Sequence, residues 1–119
     1  MPSGPAVVIT PWNAPLMLST WKIAPALAAG SPVILKPAEW SPLSCSLLAD
    51  LAAQAGFPPG VLNVVQGIGE EVGAALVSHP GVRRISFTGS PETARHIGIA
   101  AATNIVPFTG ELGDRKSVV

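Results

Sequence analysis

Five short runs of almost unbroken apolar character, at 6–9, 33–35, 62–65, 84–87 and 105–108, set the strongest limit on what this chain can fold into. They are rich in β-branched residues and lack the polar alternation of a half-exposed strand, which is how strands buried on both faces read. Longer stretches of helical character separate them. The first, 16–29, carries Trp21, Ala24, Leu27 and Ala28 at helical spacing, stops at Gly30 and has Pro25 inside it as an expected bend. The second, 42–55, has Ser41 as its expected N-cap, Pro42 in its first turn and an apolar stripe of Leu43, Leu47, Leu48 and Leu51 before Gly56. The third, 70–78, opens on two carboxylates, and the fourth, 91–102, has Ser90 as its cap. Strictly alternating strands and helices predict an α/β fold, a doubly wound, mostly parallel sheet with right-handed crossovers.

The chain has 119 residues, enough for one small domain. Only 12% of them are charged and 48% are hydrophobic, against about 25% charged in an ordinary soluble domain. That charge cannot coat an independent globule, so the chain reads either as a very buried domain or as one piece of a larger body. No apolar run approaches the ~18 residues of a membrane span. A formal net charge of +0 points away from nucleic acid and from acidic membranes. The single cysteine, Cys45, rules out an internal disulfide and fits a reducing, cytoplasmic compartment, and the N-terminus lacks the pattern of a signal peptide.

In a doubly wound sheet, ligands bind at the carboxyl ends of the strands. The residues just past each strand therefore make up the candidate site. The first junction reads Ile9-Thr10-Pro11-Trp12-Asn13, where Asn13 is either a carbonyl-facing amide or a plain helix cap, and Trp12 either walls a cofactor site or sits in the core. The second reads Lys36-Pro37-Ala38-Glu39. A carboxylate there can accept hydrogen bonds from ribose hydroxyls with the ammonium beside it; the alternative is a surface salt bridge of little value. The third, Gly67 and Gly69 with Gly73, fails the strict dinucleotide fingerprint, because its third glycine falls one residue late. The fourth, Phe87-Thr88-Gly89-Ser90, opens a helix and is either an anion site or ordinary capping. Glu111, expected beyond the fifth strand, is either a general base or a salt-bridge partner. His79 and His96 lack metal-ligand spacing and read as surface or packing residues, and Cys45 reads as a small buried apolar residue.

Taken together, the five junctions resemble the NAD(P)-dependent aldehyde dehydrogenase superfamily, in order and approximate spacing from about Val7 to Gly113. The resemblance implies a Rossmann-like partial cofactor-binding domain over 1–113 and NAD as cofactor, with NADP disfavoured by Glu39. It implies Asn13 as the oxyanion-hole amide and Glu111 as the base that activates water for thioester hydrolysis. Ile9, Thr10, Pro11 and Trp12, then Lys36, Ala38 and Glu39, then Gly67, Gly69 and Gly73, and finally Phe87, Thr88, Gly89, Ser90 and Leu112 match cofactor-binding positions. The implied partners are a small aldehyde and further copies of the parent protein, and the nearest flavour is a bacterial semialdehyde dehydrogenase of the hydroxymuconic type.

The family's nucleophilic cysteine lies beyond Glu-Leu-Gly, and Cys45 does not match it, so the 119-residue chain is expected to be an inactive fragment. After Gly113 the family pattern breaks off into Asp114-Arg115-Lys116-Ser117-Val118-Val119, the translation of a sequencing-adapter read. Residues 114–119 are therefore expected to be a non-native tail, from adapter read-through or a frameshift. Two other readings stay open: a non-catalytic cofactor-binding or structural module on the same fold, and an acylating, coenzyme A-dependent relative.

Overall fold

The computed structural model describes residues 2–113; the expected non-native tail at 114–119 lies outside them. Strands β1 (Ala6–Ile9), β2 (Val33–Lys36), β3 (Leu62–Val64), β4 (Arg84–Gly89) and β5 (Phe108–Leu112) form one sheet in the order β3-β2-β1-β4-β5. Every pairing is parallel, with Val8 opposite both Leu35 and Ser86 on its two flanks. Helices α1 (Pro15–Ala28) and α2 (Leu43–Gln54) join the first three strands; a π-helical turn (Gly69–Gly73) running into α3 (Ala74–Ser78), and then α4 (Pro91–Thr103), join the rest. The expected parallel α/β fold is the fold observed.

Because successive strand side chains face opposite ways, Val7 and Val8 belong to different cores. Val7, Ile85 and Phe87 pack with Val77 of α3 and with Ala94, Ile97 and Ala101 of α4. Val8, Val33 and Leu35 pack with Ile23 of α1 and Cys45 of α2. The central strands are thus covered on both faces. Full burial of each such Val, Leu or Ile side chain contributes roughly 1.5–3 kcal/mol, which is why β1 and β2 are apolar almost throughout, whereas β4 alternates, burying Ile85 and Phe87 but not Arg84 or Ser86. No helix among the described residues is long and apolar enough to cross a membrane.

Four local expectations are corrected. The run at 105–108 is not the fifth strand. Ile105 takes φ 55 as the residue that ends α4, its N–H bonding to Ala102 O (3.2 Å) while Val106 N bonds to Ala101 O (2.8 Å). Those paired 5→2 and 6→1 bonds make a Schellman stop; β5 begins only at Phe108, so Glu111 lies within the strand and not beyond it. Ser41 does not cap α2: Pro42 holds the cap position in helical conformation, and among the described residues no side chain caps the helix and the buried Ser41 hydroxyl has no partner. Helix α1 turns Ser19 and Ile23 inward, with Ala26 and Leu27 packed beside them, whereas Trp21 is 62% exposed. Helix α2 packs through Cys45 and Leu48, and the predicted core stripe of Leu43, Leu47 and Leu51 faces outward.

Candidate functional site

The chain runs outward from β1 to β3, then returns to place β4 on the other side of β1. Connections on the two flanks of β1 therefore leave in opposite directions, and the crevice opens at the carboxyl ends of β1 and β4. On β1 that end is Thr10–Asn13. Thr10 is 3% exposed and its N–H continues the ladder to Lys36 O (3.3 Å). Pro11 supplies no further donor, so the ladder stops and the chain turns out. Trp12 is 61% exposed and Asn13 is exposed. The cap of α1 is Ala14, without any side-chain cap bond. The bland alternatives for this junction, an Asn helix cap beside a core tryptophan, are thus both excluded. The Trp12 ring instead meets Trp40, with centroids 6.5 Å apart at 46°.

At the end of β2, Lys36 is 2% exposed. Its Nζ donates to Pro37 O (3.1 Å) and lies 3.8 Å from Glu39 Oε2, whose side chain is 46% exposed. This is a buried ammonium reaching toward a half-exposed carboxylate, not a surface pair. An ammonium has three donors, so one remains for a ligand. Gly73 lies against the lysine stem, where a Cβ would come 3.7 Å from Lys36 Cδ, an ordinary contact. The glycine turn after edge strand β3 lies away from the β1/β4 crevice but reaches back to this lysine. Its Gly67, at φ 151, could not carry a side chain, since a Cβ would fall 2.3 Å from Val72 Cγ2.

At the end of β4, Phe87 is buried in the core beneath Gly89, where a Cβ would strike the ring at 2.5 Å. Among the described residues the Thr88 hydroxyl is buried without a partner, so it keeps its hydrogen-bonding capacity for a bound group or water. Ser90 caps α4, accepting from Thr93 N (3.3 Å) and donating to Thr93 Oγ1 (3.0 Å). Ordinary capping is therefore present. Pro91 has no N–H, and Thr93 and Ala94 both donate to Ser90. Glu92 carries the remaining first-turn donor, leaving the helix dipole as the main attraction for an anion. Beside this helix start, an open hollow of about 430 Å³ is lined by Pro91, Ala94, Arg95, Leu112 and Gly113.

Glu111 forms an ion pair with Lys22, whose side chain is 13% exposed against 52% for the carboxylate. Reading the sequence singled out neither Lys22 nor Arg95. Lys22 had a signal, being the only charge in the fourteen residues of α1; its partner, 89 residues away, had none. Both His79 and His96 are exposed, and among the described residues no three His, Cys, Asp or Glu side chains converge as a metal site would require.

The profile of the Aldehyde dehydrogenase family matches residues 1–119. This chain belongs to that family. It is 52% identical over 118 residues to the peroxisomal aminoaldehyde dehydrogenase 1 of Malus domestica, covering 99% of this chain and 24% of that protein. It superposes on HpcC from Thermus thermophilus with a TM-score of 0.94 and 55% identity, over 97% of this chain and 22% of that one. It superposes on betaine aldehyde dehydrogenase from Staphylococcus aureus, solved in complex with NAD+, with a TM-score of 0.92 and 45% identity, over 94% and 22%. The chain thus spans about a quarter of the length of the aldehyde dehydrogenases it matches.

Proposed function

We propose that residues 1–113 are part of the cofactor-binding domain of an NAD-dependent aldehyde dehydrogenase, and that the protein carrying them oxidises an aldehyde to its carboxylic acid. One observation carries this reading: all five junction motifs lie along the carboxyl edge of a single parallel sheet, with Trp12-Asn13 and Thr88-Ser90 on the two strands that flank the crevice. The residues present fit a dinucleotide. Glu39 is half-exposed and free to accept from ribose hydroxyls, with the spare Lys36 donor beside it. The partnerless Thr88 hydroxyl and the dipole of α4 beyond Ser90 suit the phosphates. Ile9, Thr10, Pro11 and Trp12 shape the wall on the β1 side; Ala38, Gly67, Gly69 and Gly73 shape the β2 and β3 side; Gly89 and Leu112 close the β4 and β5 side, with Phe87 buried beneath Gly89 as its support.

When bound, NAD would accept the hydride. This chain's own residues would do the rest by hydrogen bonding and proton transfer. The Asn13 amide donates to the aldehyde oxygen as negative charge builds on it; one such preorganised donor is worth roughly 3–4 kcal/mol of barrier. Glu111 takes a proton from the water that hydrolyses the acyl intermediate. The presence of a carboxylate here supports hydrolysis over transfer to coenzyme A, which needs no base to activate water. Cys45 is fully buried and is not the attacking thiol. Glu39 selects against NADP, whose 2′-phosphate would meet a like charge.

The test is steady-state NADH formation by the intact protein with a panel of aldehydes: an aminoaldehyde, betaine aldehyde, phenylacetaldehyde and a hydroxymuconic semialdehyde, the last being the expected best substrate. Asn13→Ala is expected to lower kcat on the order of 100-fold. Absence of NADH with every aldehyde, despite measured NAD binding, returns the protein to the class of non-catalytic cofactor-binding modules.

A further inference from the structure

Beneath the exposed Trp12-Asn13 turn lies a chain of polar side chains, two of which, Ser19 and Cys45, the proposed chemistry does not use. Thr10 Oγ1 is 3.1 Å from Ser19 Oγ, Ser19 Oγ is 3.4 Å from Cys45 Sγ, and Cys45 Sγ donates to Pro15 O at 3.7 Å. The three residues are 3%, 0% and 0% exposed. Each has one proton to give. With the thiol proton on Pro15 O, the Ser19 proton must go to sulfur and the Thr10 proton to Ser19. A single ordering therefore satisfies every bond. Ser19 does not make the local back-bond that three other helical hydroxyls make. Thr20, Ser46 and Thr103 all donate back to the carbonyl four residues earlier in the chain, the ordinary resting place of a helical hydroxyl. Ser19 instead turns away from α1 and bridges the end of β1 to α2.

We propose that Ser19 and Cys45 are positioning residues, a clasp that holds the turn at 10–15 at both ends and thereby fixes the Asn13 amide for its reaction. The chain of bonds starts at Thr10 and ends at the Pro15 carbonyl, the two ends of the turn. Pro11 and Pro15 stiffen the turn itself, and the clasp sets where that stiff unit stands over the sheet. The dehydrogenase role of Asn13 rests on the proposed function, but the clasp can be tested apart from it. Misplacing a reacting group by about 1 Å can cost on the order of 100-fold in rate, so loss of the clasp should be felt in kcat.

The experiment is a double-mutant cycle in the intact protein, read by kcat and by backbone hydrogen exchange. Ser19→Ala is expected to lower kcat on the order of 10–100-fold, and to cost nothing further once Asn13→Ala is present. Cys45→Val is expected to behave like Ser19→Ala, while Cys45→Ser, which can still donate to Pro15 O, keeps most of the activity. Exchange at 10–18 should accelerate in Ser19→Ala and Cys45→Val, while exchange at 33–35 stays slow. Additive losses in the cycle, or unchanged exchange at 10–18, overturn the clasp. If Asn13→Ala alone leaves kcat intact, the dehydrogenase role of Asn13 falls, and the exchange arm still decides the clasp. Should Ser19→Ala fail to fold, the Cys45→Val and Cys45→Ser pair carries the same comparison.

Discussion

Glu111 and Lys22 meet across the face of the sheet, one from β5 and one from α1. With the carboxylate half-exposed, water screens the pair, and its contribution to stability is on the order of 0–1 kcal/mol. Its consequence should appear in position more than in melting temperature. Lys22→Met is expected to shift thermal unfolding little, but to slow release of the acid about tenfold while leaving the first-turnover burst of NADH intact; rapid-quench kinetics separates the two. An equal loss in burst and steady state counts against this role. Glu39 offers a second residue-scale prediction. Removing its charge in Glu39→Gln removes the repulsion toward a 2′-phosphate, so the NADP/NAD ratio of kcat/KM should rise about tenfold, the equivalent of ~1.4 kcal/mol. An unchanged ratio places the ribose elsewhere.

At the scale of the element, three helices end with the same pair of bonds but not with the same residue. Helix α1 closes through Gly30 and Ser31, and α2 through Gly56 and Phe57, with Gly30 at φ 80 and Gly56 at φ 94. Helix α4 closes through Ile105 and Val106, with a β-branched residue in the left-handed position. That conformation costs a non-glycine residue about 1–2 kcal/mol. Ile105 is 91% exposed and has little packing to lose. Ile105→Gly is therefore expected to raise stability by about 0.5–1 kcal/mol, after allowing for glycine's greater freedom in the unfolded chain, as read by urea denaturation. Gly67 runs the other way: Gly67→Ala would drive a Cβ into Val72 at 2.3 Å. A loss of about 1–3 kcal/mol is expected from the overpacking. The glycine stops were legible because glycine is the usual occupant. The Ile105 stop was not, because an exposed isoleucine beside Val106 has the local look of a strand.

For the molecule as a whole, the scarcity of charge has a visible result. Trp40 and Leu43 are 82% exposed, and Leu47 and Leu51 continue the same apolar side of α2. Contiguous apolar surface of this kind drives association, and the sheet edges at β3 and β5, unpaired among the described residues, add to it. The 119-residue chain by itself is expected to self-associate in sedimentation velocity, and Leu43→Glu with Leu47→Lys to reduce that association; a monodisperse wild-type monomer at tens of micromolar contradicts the expectation. Alternating apolar runs and helical segments were enough to determine the parallel sheet, because a strand covered on both faces must be largely apolar. The order of junction motifs was enough to determine the family. Three things waited for the tertiary structure. Which side of α1 and α2 faces inward depended on where the sheet lies, and periodicity alone put Trp21 and Leu43 in the core. The capping of α1 and α2 depended on backbone angles at Ala14 and Pro42, and these took the cap from Asn13 and from Ser41. The pairing of Lys22 with Glu111, and of Ser19 with Cys45, joins residues far apart in the chain; only the packing of the helices on the sheet brings such groups within reach of one another.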